Sequence, residues 1–274
     1  MDTPALSSSL CLRILRHLGA SLDLPADLDT LRLLLARYTR IVPWESASRI
    51  MRRARHDSAA DCAVLGAAFW NNHFATGSGG TCYESNYAFW GLLRRLGYTG
   101  YLTLNDMGEH VGCHSAIVLR LDGQKWLVDV GFPLHAVLPF PGDDNTEAQS
   151  PFFRYTMQAQ TANRYAIFRE PHPQRDVFQL VDEPVDDETY RRAAVHDYQP
   201  ETGLFLQEVV INKLVDERQW RFNSGDKPWH LQQFVDGKGQ NHALGDDAAD
   251  TLAQKFGMSR ELVAEALRVL PPTA

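Results

Sequence analysis

The sequence predicts an α+β protein built in three successive parts, and three changes of texture along the chain carry that prediction. Residues 1–97 read as helices, residues 98–200 as antiparallel sheet, and residues 201–274 as strands closed by helices. In the first part Leu10, Leu12, Ile14, Leu15 and Leu18 recur at helical intervals near 7–19, and Leu28, Leu31, Leu33, Leu34 and Leu35 do so over 27–38. Pro43 breaks the pattern, and a third helix is expected around 61–70. Beyond Gly77-Ser78-Gly79-Gly80, residues 83–96 place Tyr87, Trp90, Leu93 and Leu96 on one helical repeat that Gly97 closes.

The runs 101–104, 115–121, 125–130, 152–157, 164–168 and 177–181 are short and alternating or rich in β-branched and aromatic residues, which predicts a small antiparallel barrel. The polar stretch 184–202 reads as a linker. Strands follow at 205–214 and 219–222, then helices at 246–256 and 259–270, with Ser259 as an N-cap before the apolar face that Leu262 begins.

Composition narrows the function. Of 274 residues 44% are hydrophobic, ordinary for a globular chain, and 34 acidic against 27 basic residues give a net charge of −7. No basic footprint for nucleic acid is present. The group Arg52, Arg53, Arg55 and His56 reads as a solvated helix end without a function. The first 24 residues lack a signal peptide's unbroken apolar stretch, and no segment approaches the roughly 18 apolar residues of a membrane span. The expected location is the cytoplasm, and Cys11, Cys62, Cys82 and Cys113 are accordingly expected as reduced thiols.

Cys82 differs from the other three cysteines in its surroundings. It follows Gly79-Gly80 at the start of a helix, where the chain can turn tightly and approach a ligand closely. A helix N-terminus and a nearby imidazolium can lower a thiol pKa from about 8.5 to about 3.5–7.5, and the free amides there can hold an oxyanion. The segment 114–132 supplies a base. Asp122-Gly123 between two β-rich runs is a two-residue hairpin signal. With those residues as the loop, Leu121 faces Gln124, Val118 faces Leu127 and Ala116 faces Asp129, so His114 lies diagonally beside Asp129 on one face. Ile117, Leu119, Leu121, Trp126, Val128 and Val130 take the other face, which is the core face; the His114/Asp129 face is the less apolar one. A carboxylate so placed fixes the imidazole tautomer and stabilises the imidazolium formed when the ring takes a thiol proton. Metal binding by His110, Cys113 and His114 is the rival reading, but Cys113 and His114 alternate across a strand and no second ligand pair matches them. No metal is expected.

At these residues the chain resembles the arylamine N-acetyltransferase family. Gly79-Gly80-Thr81-Cys82-Tyr83-Glu84, His114 and Asp129-Val130-Gly131-Phe132 are similar to its motifs, Val42-Pro43-Trp44-Glu45 to its Pro-Phe-Glu-Asn element, and Phe256-Gly257 with the flanking helices to its closing segment. The resemblance implies an N-terminal helical bundle contributing the cysteine, a β-barrel contributing His and Asp, and an α/β lid, with a triad arranged as in cysteine proteinases. It implies ping-pong transfer of an acetyl or other short acyl group from acyl-CoA, through a thioester on Cys82, to an arylamine or hydrazine, with His114 as base and then acid and Asp129 as its orienter. Acetyl-CoA or another acyl-CoA is then a co-substrate, and no tightly bound cofactor is implied. Departures occur: Ser78 stands where arginine is usual, Ser46 for asparagine, Cys113 for threonine and Pro133 for glycine, while Ser85-Asn86 follow Glu84.

Trp44, Tyr83, Gly131 and Phe132 flank these motifs and are candidates to line a pocket for an aromatic amine. Glu45 and Glu84 read as structural carboxylates near the cysteine turn, and Asp236-Gly237-Lys238-Gly239 as a hairpin loop. Two alternatives stand beside this reading: an amide synthase of a biosynthetic pathway drawing on another acyl thioester, and a silent binding module of the same fold. The oligomeric state is left open.

Overall fold

The computed structural model describes residues 6–21, 23–142, 144–199, 202–235 and 238–270. Its N-terminal part contains α1 (Ser8–His17), α2 (Leu28–Ile41), a two-residue strand β1 (Trp44–Glu45), α3 (Ala47–Arg55), α4 (Ala59–Cys62), α5 (Ala67–Thr76) and α6 (Cys82–Arg95). Ser7 and Asp27 cap α1 and α2 by accepting from the amides of Leu10 and Thr30. The third expected helix is two short ones, because the amide of Val64 is spent on Glu84 Oε1 at 3.3 Å instead of continuing a helical ladder. Ile14, Leu31, Leu34, Trp70, Phe89 and Leu92 from these helices form a core on which Ile117, Leu119 and Val128 of the sheet also pack.

Eight strands make a nearly closed antiparallel sheet: β2 (Thr99–Met107), β3 (His110–Leu121), β4 (Gln124–Val128), β5 (Leu138–Pro139), β6 (Thr146–Gln149), β7 (Arg154–Thr161), β8 (Arg164–Glu170) and β9 (Asp176–Val181). Their spatial order is β5-β4-β3-β2-β9-β8-β7-β6. Thr146 Oγ1 donates to Pro139 O at 2.5 Å between the two edge strands. Leu121↔Gln124, Val118↔Leu127 and Ile117↔Val128 pair as the Asp122-Gly123 turn dictates, and both turn residues have positive φ. One expectation is corrected: the hairpin face carrying His114 and Asp129 is as buried as the other. Ala116, Val118 and Leu127 on it enter a second core with Tyr155, Met157 and Ile167 inside the curled sheet.

The polar stretch expected as a linker contains a helix, α7 (Asp187–His196). Asp186 caps it by accepting from Thr189 N at 2.8 Å, and only Tyr190 and Ala194 are buried, so its apolar signal is short. The last part holds β10 (Val210–Val215), β11 (Arg218–Asn223), β12 (His230–Val235), β13 (Lys238–Ala243), α8 (Ala248–Phe256) and α9 (Arg260–Val269). Ser259 caps α9 as expected, accepting from Leu262 N. Strands β12 and β13 were not foreseen; β13 is exposed throughout and lacks the alternation that marks a half-buried strand. Of the expected loop 236–239, Asp236 and Gly237 lie outside the described residues, while Val235 pairs with Lys238. β1 joins β10 in the sheet β1-β10-β11-β12-β13, so the N-terminal and C-terminal parts share one sheet. No helix among the described residues is long and apolar enough to cross a membrane.

Candidate active site

Cys82 is the first residue of α6, and the turn before it is held by close packing rather than by unusual dihedral angles. A Cβ on Gly79 would lie 1.7 Å from Pro43 O, and one on Gly80 would lie 2.5 Å from Glu84 Oε2, so only glycine fits at either place. The buried Glu45 carboxylate binds this turn: Oε1 accepts from Gly79 N at 3.0 Å and from the Ser48 hydroxyl at 2.6 Å, and Oε2 accepts from Ser48 N at 2.8 Å. His73 Nδ1 bonds Ser78 O at 2.8 Å from the other side. Thr81, the residue before α6, makes no side-chain cap, and its hydroxyl accepts from Arg49 Nη1 at 2.9 Å instead. The amides that open α6 are therefore left uncapped by it.

His114 sits on β3 and Asp129 just beyond β4, and the hairpin register brings them together. His114 Nε2 lies 2.7 Å from Asp129 Oδ2, with both side chains fully enclosed. The other oxygen, Asp129 Oδ1, accepts from Gly131 N at 2.7 Å, Phe132 N at 2.9 Å and Asn86 Nδ2 at 2.9 Å. Asn86, one helical turn after Cys82, donates also to Ser115 O at 2.7 Å and accepts from Val130 N at 3.1 Å. Ser115 Oγ in turn donates to Cys82 O at 3.0 Å. The helix carrying the thiol is thus bolted to the hairpin carrying the imidazole and the carboxylate. The Cys82 thiol itself lies 3.6 Å from the carbonyl of Cys113, the residue before His114. Gly131 is required by this approach: a Cβ there would come 2.4 Å from Cys82 Cα. Asn86 and Ser115 were not singled out as site residues from sequence; the spacing of four between Cys82 and Asn86, which shares a helix face, was the available signal.

Burial pushes the Cys82 thiol well above its ordinary pKa, and the Asp197 carboxylate adds to that; Arg49 acts the other way. This differs from the lowered value expected of a helix start, because full enclosure outweighs the partial charge of a helix end. The arginines of α3 also differ from expectation. Arg53 and Arg55 lie toward solvent, but Arg52 is buried, with Nη2 2.6 Å from Glu84 Oε1 and 2.7 Å from the Tyr198 hydroxyl. Arg49, one turn earlier, is fully buried, pairs with Asp197 Oδ2 at 2.8 Å and stacks 4.2 Å over the Tyr198 ring. Burial works to lower both guanidinium pKa values, and the carboxylate partners more than offset it. No sequence signal flagged Arg49 or Asp197, which lie 148 positions apart.

Cys82, His114, Gly131, Phe132 and Trp44 all line one cavity of about 720 Å³ that runs from the barrel to the β10–β12 sheet. Trp44 Nε1 is buried and has no protein partner among the described residues. Tyr83 is turned elsewhere: its ring packs on Tyr190 at 5.6 Å and its hydroxyl donates to Gly112 O, so it does not line the cavity. Arg169, Lys213 and Arg221 line the wall, Arg221 lying 3.4 Å from Asp226 and burial lowering the Lys213 pKa to about 8, and Glu208 is the only carboxylate on that wall among the described residues. Among the described residues no three His, Cys, Asp or Glu side chains gather as a metal site.

An arylamine N-acetyltransferase from Bacillus cereus, described as having a unique Cys-His-Glu catalytic triad, superposes with a TM-score of 0.75 at 18% identity, over 92% of this chain and all of that one. A Mycobacterium marinum arylamine N-acetyltransferase in complex with CoA superposes at 0.74 and 18% identity, over 94% and 98% of the two chains. The protein therefore has the fold of this class of acyl-transferring enzymes. The family model of the N-acetyltransferases matches residues 27–263, and the chain belongs to that family. The proansamycin X synthase of Amycolatopsis mediterranei is 30% identical over 131 residues. That match spans somewhat less than half of each chain, 43% of this one and 46% of the relative.

Proposed function

We propose that this enzyme moves an acetyl or other short acyl group from acyl-CoA, through a thioester on Cys82, to the nitrogen of an arylamine or hydrazine. The observation that carries the reading is the His114–Asp129 contact of 2.7 Å in the same cavity as the Cys82 thiol. With Asp129 on Nε2, Nδ1 is the nitrogen left to take the thiol proton. Because burial raises the thiol pKa, His114 takes the proton as sulfur attacks the donor carbonyl rather than standing beside a preformed thiolate. The oxyanion is held by the amides that open α6. The C–S bond to CoA then breaks, and the CoA sulfur recovers the proton from the imidazolium. The amine next attacks the Cys82 thioester, gives its proton to His114, and leaves as the amide while the thiol is restored. One thioester is exchanged for another, so the first half-reaction is nearly balanced in energy. The CoA complex of the M. marinum structure supports the same donor here.

The likeness to proansamycin X synthase supports a second reading, amide formation in a biosynthetic pathway from another acyl thioester. Intact-mass measurement of the acyl-enzyme separates the two. The first reading predicts that acetyl-CoA loads Cys82 at least as fast as long-chain or carrier-bound thioesters; loading by the latter alone contradicts it and supports the second.

A further inference from the structure

Arg169 breaks the pattern of the strand it sits on. Along β8, Tyr165 and Ile167 pack into the barrel core, and Glu170 turns out to meet Arg154 at 2.9 Å and Arg175. Arg169 has the parity of Tyr165 and Ile167 and so faces inward, opposite Tyr155 of β7. Its guanidinium lies half-buried in the cavity wall, 5.3 Å over the Phe132 ring and 5.6 Å over the Phe153 ring. Phe132 in turn stands edge-on to His114, ring centres 6.4 Å apart.

A charge in this position needs a partner, and the described residues offer no carboxylate to it. Nε donates to Gln174 O at 3.2 Å, and among the described residues no carboxylate lies within ion-pair distance. The nearby acids are committed elsewhere. Asp129 has both oxygens filled and Glu170 is paired on the outer face. Burial accordingly lowers the Arg169 pKa, with only Tyr155 opposing. His172 on the same wall is lowered as well, by burial first and by Arg169 second, so it adds no second positive charge at neutral pH. The two rings compensate the guanidinium in part and hold its plane, leaving a forked donor with a single charge open to the cavity.

We propose that Arg169 is an anion subsite that binds a carboxylate carried by the substrate beside the reacting thiol, on either the acyl group or the amine. Two parallel N–H donors match the two oxygens of a carboxylate, and one positive charge matches one negative charge. The inference rests on the reading of Cys82 as the acyl carrier and adds the substrate class to it.

Two half-reactions test it with the full chain and its Arg169→Gln and Arg169→Lys variants. In the first, succinyl-CoA and butyryl-CoA compete to acylate Cys82, followed by intact mass. In the second, the acetylated enzyme is offered 4-aminobenzoate or 4-aminobenzamide. In at least one arm the unaltered enzyme should favour the carboxylate by about tenfold or more. That preference should vanish in Arg169→Gln and survive in part in Arg169→Lys, and the arm that responds identifies which substrate carries the anion. Acyl-enzyme that forms with no carboxylate preference in either arm overturns the inference alone. So does a preference that persists in Arg169→Gln, or an equal loss with both members of a pair. Failure of every donor to acylate the unaltered enzyme contradicts the acyl-transfer reading and the inference together.

Discussion

At the scale of single residues, the candidate site depends on the Asp129 carboxylate, whose two oxygens are both engaged. Asp129 takes one bond from His114 and three more from Asn86 and the backbone of the following turn, so it orients the imidazole while its own position is fixed by four donors. His73 plays a comparable part for the cysteine turn, between Ser78 O and His17 Nε2 at 2.9 Å. Burial pushes its pKa down from 6.5 to about 4. The unfolded chain therefore takes up this proton first. Above about pH 6.5 the group costs nothing; as pH falls toward 4 stability declines, by roughly 3 kcal/mol if the whole shift is expressed, and below 4 this contribution levels off. Urea midpoints measured across that window should fall with acid more steeply in the unaltered protein than in His73→Gln. Equal slopes would remove His73 from the account.

At the scale of elements, the hairpin that unites His114 with Asp129 was legible because its turn is written in two residues and its side-chain period is two. The helix beginning at Cys82 was legible from its apolar repeat. What escaped reading was whatever depends on distant pairing: the strand β1, which pairs with β10 and bridges to Gly80, and the charged cluster of α3, α6 and the segment after α7. Local composition marks Arg52 as solvated, and its Glu84, Tyr198 and Cys62 carbonyl partners make burial tolerable. Arg52→Met should strand the Glu84 carboxylate and cost about 3–5 kcal/mol of unfolding free energy by urea titration, while adding Glu84→Leu should recover part of the loss. A loss below about 1 kcal/mol in the single variant would mean that the pair behaves as a surface one.

At the scale of the molecule, the cavity is assembled from all three parts of the chain. Trp44 and Cys82 come from the N-terminal part, His114 and Phe132 from the barrel-like sheet, and Trp220 from the C-terminal sheet. Periodicity foretold the mixture of helices and antiparallel sheet, since it reports which face of each element is covered. The short alternating runs foretold the barrel, and the sheet does nearly close; the sharing of one sheet between the first and last parts was not foretold, because it leaves no local trace. The departures from the family motifs are likewise clearer in place: Ser46 joins α3 to β10 through Glu208 O at 2.7 Å and Val210 N at 2.8 Å, and Ser78 is buried in the cysteine turn. The central claim is that this assembly makes Cys82 the acyl carrier, and the most direct measurement is the intact mass of the chain after exposure to acetyl-CoA, with the site located by peptide mapping. The account predicts one acetyl group on Cys82 that an arylamine or hydrazine removes, and none on Cys82→Ala; acetyl transfer to amine that persists in Cys82→Ala, or an acetyl group mapped to another residue as the intermediate, would contradict it.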